Sequence, residues 1–249
     1  MYEVGMGWAT LGDSMAGTSH RARSVPCQDA FRFSTFGEWL VIAVADGAGS
    51  SLHSDVGATL ACDEFIRRIP ALDPNTLLSR EGMTALFTEV QTALFAKAER
   101  IGVKPREVAC TALLAVIGPT SAAFAQHGDG AIVIRQGEDY RTVFWPEPAE
   151  YANATDFLTD DSFPASMLFE TVTEPIAEVA AFTDGLQRVA LDFTARTAYP
   201  AFFRPLFNEI RAATDTELLA EPFRRFLDSD RVNERTDDDK TLVLAVRHP

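Results

Sequence analysis

The sequence predicts an α+β fold built of stacked layers, and three observations lead there. Apolar, β-branched runs bounded by turn residues recur along the chain. Segments with helical spacing lie between some of them in consecutive pairs. The two kinds do not alternate as regular βαβ units, which argues against a doubly wound sheet.

The first strong run is Trp39–Ala45, seven residues of almost unbroken apolar character. Residues 54–69 follow with helical spacing, Val56, Leu60 and Phe65 marking one side and Pro70 stopping the segment. A second helix is expected over residues 75–100, opened by the cap-like Asn75 and striped by Leu78, Leu86, Val90 and Leu94. Further buried strands are expected at Ala112–Ile117, 121–125, 131–134, Glu178–Phe182 and 241–246. Residues 200–227 read as helix with a break near Ala213, Thr214 and Asp215, ahead of a polar tract at 228–239. Residues 137–177 have the least periodicity, and the apolar side chains Phe157, Phe163, Met167, Leu168 and Phe169 make this stretch a flap candidate rather than a linker.

Composition narrows the function classes. The chain has 249 residues, 36 acidic against 22 basic, and a net charge of −14. That balance opposes nucleic acid and anionic membrane surfaces, and Arg21 and Arg23 are too few to form a basic stripe. At 47% hydrophobic and 23% charged residues the composition is globular, and residues 1–249 are expected to form one domain. Cys27, Cys62 and Cys110 have no paired spacing and read as reduced packing residues. With no basic segment leading into an apolar core at the start, and no apolar run near the roughly 18 residues of a membrane span, a cytoplasmic protein is expected.

The chemistry is written in four aspartates. Asp46 follows the run ending at Ala45, Asp184 follows Phe182 and Thr183, Asp129 follows another apolar run, and Asp238 stands just before the last one. Gly47, Gly130 and Gly185 come directly after the first three carboxylates, so backbone can approach closely beside each. Any single Asp-Gly pair is ordinarily a turn. Carboxylates gathered at strand ends repel one another unless they protonate or surround a cation. Oxygen ligands without Cys or His favour the hard ions Mg²⁺ or Mn²⁺ over zinc or copper.

Those aspartates belong to a longer ordered set: Gly17-Thr18-Ser19-His20, Gln28-Asp29-Ala30, Ala45-Asp46-Gly47-Ala48-Gly49, Thr111-Ala112, His127-Gly128-Asp129-Gly130, Thr183-Asp184-Gly185-Leu186 and Asp238-Asp239-Lys240-Thr241-Leu242. The set resembles the type 2C metal-dependent protein phosphatases, most closely the bacterial branch, over nearly the whole chain. The resemblance implies a four-layer α-β-β-α sandwich, two antiparallel sheets flanked by helix pairs with metals in a cleft at one end. It implies that Asp46 bridges two ions, that the Gly47 carbonyl binds one of them, and that Asp184 and Asp238 complete the other's shell. Asp129, with Asp184, holds a third ion in some members, and Asp29 orients metal-bound water. Two cations about 4 Å apart would make a shared water a nucleophile near neutral pH, and the resulting hydroxide would attack phosphoserine or phosphothreonine in line. The partners implied are a phosphorylated protein substrate and a serine/threonine kinase acting opposite it.

The chain departs from the family pattern at three places. Ala48 replaces a histidine that serves as general acid in eukaryotic members, so water or another group must protonate the leaving alkoxide. Ser24 stands where a phosphate-binding arginine is expected, five residues before Asp29, which leaves His20 or Arg21 as the candidate phosphate contact. Ala109-Cys110-Thr111 replaces a Gly-Thr-Thr strand opening and reads as structural. His127 reads as a packing residue beside a strand end. A dinucleotide fingerprint from Gly47 and Gly49 fails at Leu52, and no serine sits in a Gly-x-Ser-x-Gly elbow. The alternative that keeps the fold is a weak or inactive phosphatase-like binding module in signalling or stress response.

Overall fold

The computed structural model describes residues 7–146 and 156–248. Its first half comprises β1 (Trp8–Met15), α1 (Thr18–Ala22), β2 (Ala30–Phe36), β3 (Trp39–Ala45), α2 (Ser54–Arg68), α3 (Pro74–Leu77), α4 (Arg80–Ile101), β4 (Ala112–Ile117) and β5 (Ala122–His127). The remainder comprises β6 (Ala131–Gln136), β7 (Asp139–Thr142), β8 (Leu168–Val172), β9 (Glu178–Phe182), α5 (Gln187–Ala190), the short pair β10 (Leu191–Asp192) and β11 (Thr197–Ala198), α6 (Pro200–Ala212), α7 (Ala220–Leu227), α8 (Asp230–Asn233) and β12 (Lys240–Arg247).

Two five-stranded antiparallel sheets stack face to face, in the orders β2-β3-β4-β5-β8 and β1-β12-β9-β6-β7. Alternation along the central strands divides their side chains between layers. In β3, Leu40, Ile42 and Val44 enter the core between the sheets, while Val41, Ala43 and Ala45 face α2 and α4. In β12, Val243 and Ala245 point between the sheets, and Leu242, Leu244 and Val246 meet α6 and α7. Both faces of these strands are therefore dry, which is why they read as continuous apolar runs. The α+β class and the four layers expected from the sequence are present.

Two helices differ from expectation in detail. The segment at 75–100 is α3 followed by α4, separated where Ser79 adopts extended backbone and accepts a hydrogen bond from the Gly82 amide at 3.1 Å. Ser79 rather than Asn75 is the cap of the long helix, and Asn75 instead donates its own amide to Asp73 Oδ1 at 2.7 Å. Gly102, at φ 74°, closes the other end of α4 in the left-handed conformation. In α2 the fully buried face is Gly57, Ala58, Ala61, Cys62 and Phe65, so small residues let the helix lie close to the sheet. A Cβ on Gly57 would stand 2.0 Å from the Val108 carbonyl oxygen. The break near 213–215 lies between α6 and the turn that leads into α7.

The flap candidate falls partly on residues 147–155, outside the described residues. Its remainder connects the sheets, because β7 is an edge of one and β8 an edge of the other. Leu158, Phe163 and Met167 anchor the connection in the helix-facing core. Gln91 Nε2 of α4 donates to the Leu158 carbonyl at 2.7 Å. Among the described residues no helix is long and apolar enough to cross a membrane.

Candidate active site

Strand register brings the aspartates to one end of the sandwich. Leu242 at the start of β12 faces Phe182 at the end of β9, and Ala131 faces the same Phe182. In the other sheet Ala30 faces Ala45 and Ala112 faces His127. Asp46, Asp129, Asp184 and Asp238 therefore leave the sheets at a common end, beside the start of β2 where Asp29 stands.

Carboxylate oxygens of Asp46, Asp129 and Asp184 lie within 4.8 Å of one another. Asp238 is outside this trio but lines the same cleft as Asp129 and Asp184, a space of about 820 Å³. Thr111 fixes the Asp46 backbone from both sides, its hydroxyl accepting from the Asp46 amide at 3.0 Å and its amide donating to the Asp46 carbonyl at 2.8 Å. Gly47 is packed so tightly that a Cβ would stand 2.7 Å from the Gln28 carbonyl oxygen.

Asp29 is buried, and its Oδ2 accepts from the hydroxyls of Thr183 at 2.7 Å and Thr241 at 2.8 Å. Among the described residues its Oδ1 has no hydrogen-bond partner, and neither has Asp184 Oδ1. Asp239 is also buried, but its oxygens are occupied by the Gly17 amide at 2.7 Å and the Gln28 amide at 2.6 Å. This leaves Asp238 as the cleft-facing carboxylate of the Asp238-Asp239 pair. Neither Asp239 nor its anchoring role carried a sequence signal beyond its place in the motif.

Burial and mutual repulsion hold Asp29, Asp46 and Asp184 protonated to unusually high pH. Burial first, then Asp239 and Asp184, push Asp29 up to about 8 against the two threonine hydroxyls. Burial, Asp129 and Asp238 raise Asp184 to about 7. Asp46 lies well above the ordinary carboxylate range, for reasons of burial followed by the charges of Asp29, Asp184, Asp129 and Asp238. An all-oxygen cluster with unpartnered buried oxygens and costly negative charge fits a hard divalent cation.

The other predicted residues lie elsewhere. His20 is buried with Nδ1 2.8 Å from Asp239 Oδ1, too oblique for a hydrogen bond. Arg21 is exposed and ion-paired with Asp228. Neither lines the cleft. His127 packs edge-on against Phe163 and its Nε2 lies 3.0 Å from the Phe157 carbonyl oxygen, while burial holds its pKa below the usual imidazole value. The cleft is lined instead by two arginines, Arg188 and Arg235, and by the aromatic rings of Trp145 and Phe193, which meet edge-on. No motif marked these four in the sequence.

Residues 16–227 match the family model for protein phosphatase 2C. The chain is 38% identical to serine/threonine-protein phosphatase 3 of Escherichia coli (strain K12), the match covering 97% of this chain and 99% of that protein. Its fold is similar to that of the serine/threonine phosphatase Stp1 from Staphylococcus aureus, with a TM-score of 0.68 at 14% identity over 100% of this chain and 98% of that one. It is also similar to RsbX in a complex with magnesium, with a TM-score of 0.58 at 14% identity over 96% and 94% of the two chains. A family match across most of the chain, a relative of nearly equal length and the shared fold agree, and the chain belongs to the protein phosphatase 2C family of phosphoprotein phosphatases.

Proposed function

We propose that the chain is a single phosphatase domain that hydrolyses phosphoserine and phosphothreonine in proteins, using Mn²⁺ or Mg²⁺ held by the aspartate cluster. The supporting observation is the convergence of Asp46, Asp129 and Asp184 within 4.8 Å. Divalent ions bound there would polarise phosphoryl oxygens and lower the pKa of water toward neutrality. Asp46 and Asp184, with Asp238 and the Gly47 carbonyl, would hold two ions, and Asp129 with Asp184 a third. Asp29, pinned through Oδ2, keeps Oδ1 free to orient water at the edge of the cluster. Ala48 brings no proton donor, so the leaving alkoxide takes its proton from water.

The cation requirement also answers an electrostatic difficulty. A chain of net charge −14 repels a phosphate dianion, and bound cations reverse the field locally. On this reading the substrate is a cytoplasmic phosphoprotein and the opposing activity a serine/threonine kinase. The test is initial-rate hydrolysis of an aryl phosphate and a phosphothreonine peptide in Mn²⁺ and in excess chelator. Metal-dependent turnover is expected. A folded protein that binds a phosphopeptide but turns over neither compound above background would be the phosphatase-like binding module instead.

A further inference from the structure

Two arginines line the cleft without a partner among the described residues. Arg188 lies on α5, four residues after Asp184, and Arg235 lies three residues before Asp238. Both line the cleft together with these aspartates. The two segments run against each other, since a Cβ on Gly185 would stand 1.9 Å from the Asp239 carbonyl oxygen. Among the described residues, neither guanidinium makes a hydrogen bond or ion pair.

Most other arginines among the described residues are paired. Arg68 pairs with Glu64 and Glu89, and Arg135 and Arg211 converge on Glu178. The cleft itself offers Asp129, Asp156, Asp184, Asp237 and Asp238 as partners, yet Arg188 and Arg235 engage none of them. A guanidinium fork left open beside a cluster suited to cations is positioned for an anion arriving from outside. Meanwhile the basic side chains next to Ser24 in sequence turn elsewhere, and none of them lines the cleft. His20 meets Asp239, Arg21 meets Asp228, and Arg23 donates to the Ser19 carbonyl at 3.2 Å.

We propose that Arg188 and Arg235 bind the phosphate oxygens of the substrate, taking over the task for which residue 24 lacks an arginine. The assignment rests on the phosphatase reading, but it can be tested without turnover. The probe is inorganic phosphate, titrated calorimetrically into the Mn²⁺-loaded full chain, for wild type, Arg188→Ala, Arg235→Ala and Arg21→Ala. Loss of a charge-assisted contact should weaken phosphate binding about tenfold or more in each cleft variant. Mn²⁺ affinity should be retained in both, which separates loss of the contact from loss of the fold. KM should rise in parallel for an aryl phosphate and for a phosphothreonine peptide. Unchanged phosphate affinity in either cleft variant overturns the paired assignment. So does a KM rise confined to the peptide, or a loss shown by Arg21→Ala and by neither cleft arginine. Because phosphate affinity is read directly, a wild-type protein that binds phosphate but hydrolyses nothing would overturn the phosphatase reading and leave this comparison standing.

Discussion

Thr241 donates its hydroxyl to Asp29 Oδ2 at 2.8 Å, and Thr183 donates to the same oxygen at 2.7 Å. Three segments far apart in sequence thus meet on one buried carboxylate beside the end of the sheets where the aspartates gather. Thr183 Oγ1 also accepts the Thr241 amide at 3.0 Å, so this hydroxyl serves two contacts. Replacing Thr183 with Val keeps the shape and removes both. The expected cost is about 1–3 kcal/mol in urea denaturation, with Thr183→Ser close to wild type. A Val variant as stable as wild type would show that the network contributes nothing.

The crowded carboxylates set the pH response of the metal-free protein. Asp29 and Asp184 retain protons in the fold up to about 8 and about 7, whereas in the unfolded chain they titrate near the ordinary carboxylate value of about 4. The native state therefore binds more protons between these limits, and stability falls as pH rises from about 4 to about 8. With Mn²⁺ present the trend should reverse, because the metal competes with protons for the same oxygens. Asp46→Asn should flatten the metal-free decline. Denaturation midpoints at pH 5 and pH 8, in chelator and in Mn²⁺, check all three expectations. A chelated protein more stable at pH 8 than at pH 5 would contradict them.

Residues 237–239 pass between two glycines. A Cβ on Gly17 would lie 2.3 Å from the Asp237 carbonyl oxygen, and one on Gly185 would lie 1.9 Å from that of Asp239. These are backbone collisions that no rotamer change relieves. Gly17→Ala and Gly185→Ala should each cost about 1–3 kcal/mol and weaken Mn²⁺ binding by displacing Asp238. Gly37→Ala is a useful contrast, since a Cβ there meets nothing within 4 Å and only the positive φ of 56° opposes it. Equal Mn²⁺ affinity in wild type and Gly185→Ala would remove the link between this close approach and the site.

The strands visible in the sequence are the interior ones. Runs such as Val41, Ile42, Ala43 and Val44 in β3 are covered by the opposite sheet on one face and by helices on the other, so no polar residue interrupts them. The strands with no such signature, β1, β2, β7 and β8, are the edges of the two sheets. Gly12, Asp13 and Ser14 within β1, and Arg32 and Ser34 within β2, are tolerated because an edge strand keeps exposed surface. The helix boundary at Ser79 was hidden for another reason. Leu78 continues the apolar spacing, while a side-chain cap starts the long helix two residues later.

The carboxylates were readable because each is tied to a strand end by local sequence, as Asp46 is to Ala45 and Gly47. Arg188 and Arg235 were not, because an unpaired surface arginine looks the same in sequence whether it faces a cleft or bulk water. The pairing of β9 with β12 and the packing of Gly185 against residue 239 bring their segments to one wall. The inward turn of His20 onto Asp239 was hidden likewise, since it depends on contacts across more than 200 positions.

The most direct test of the central claim is Mn²⁺-dependent turnover of a phosphothreonine peptide by Asp46→Asn beside wild type, with circular dichroism establishing that both are folded. The variant is expected to fall to background while its fold is retained. Wild-type turnover by folded Asp46→Asn would contradict that claim.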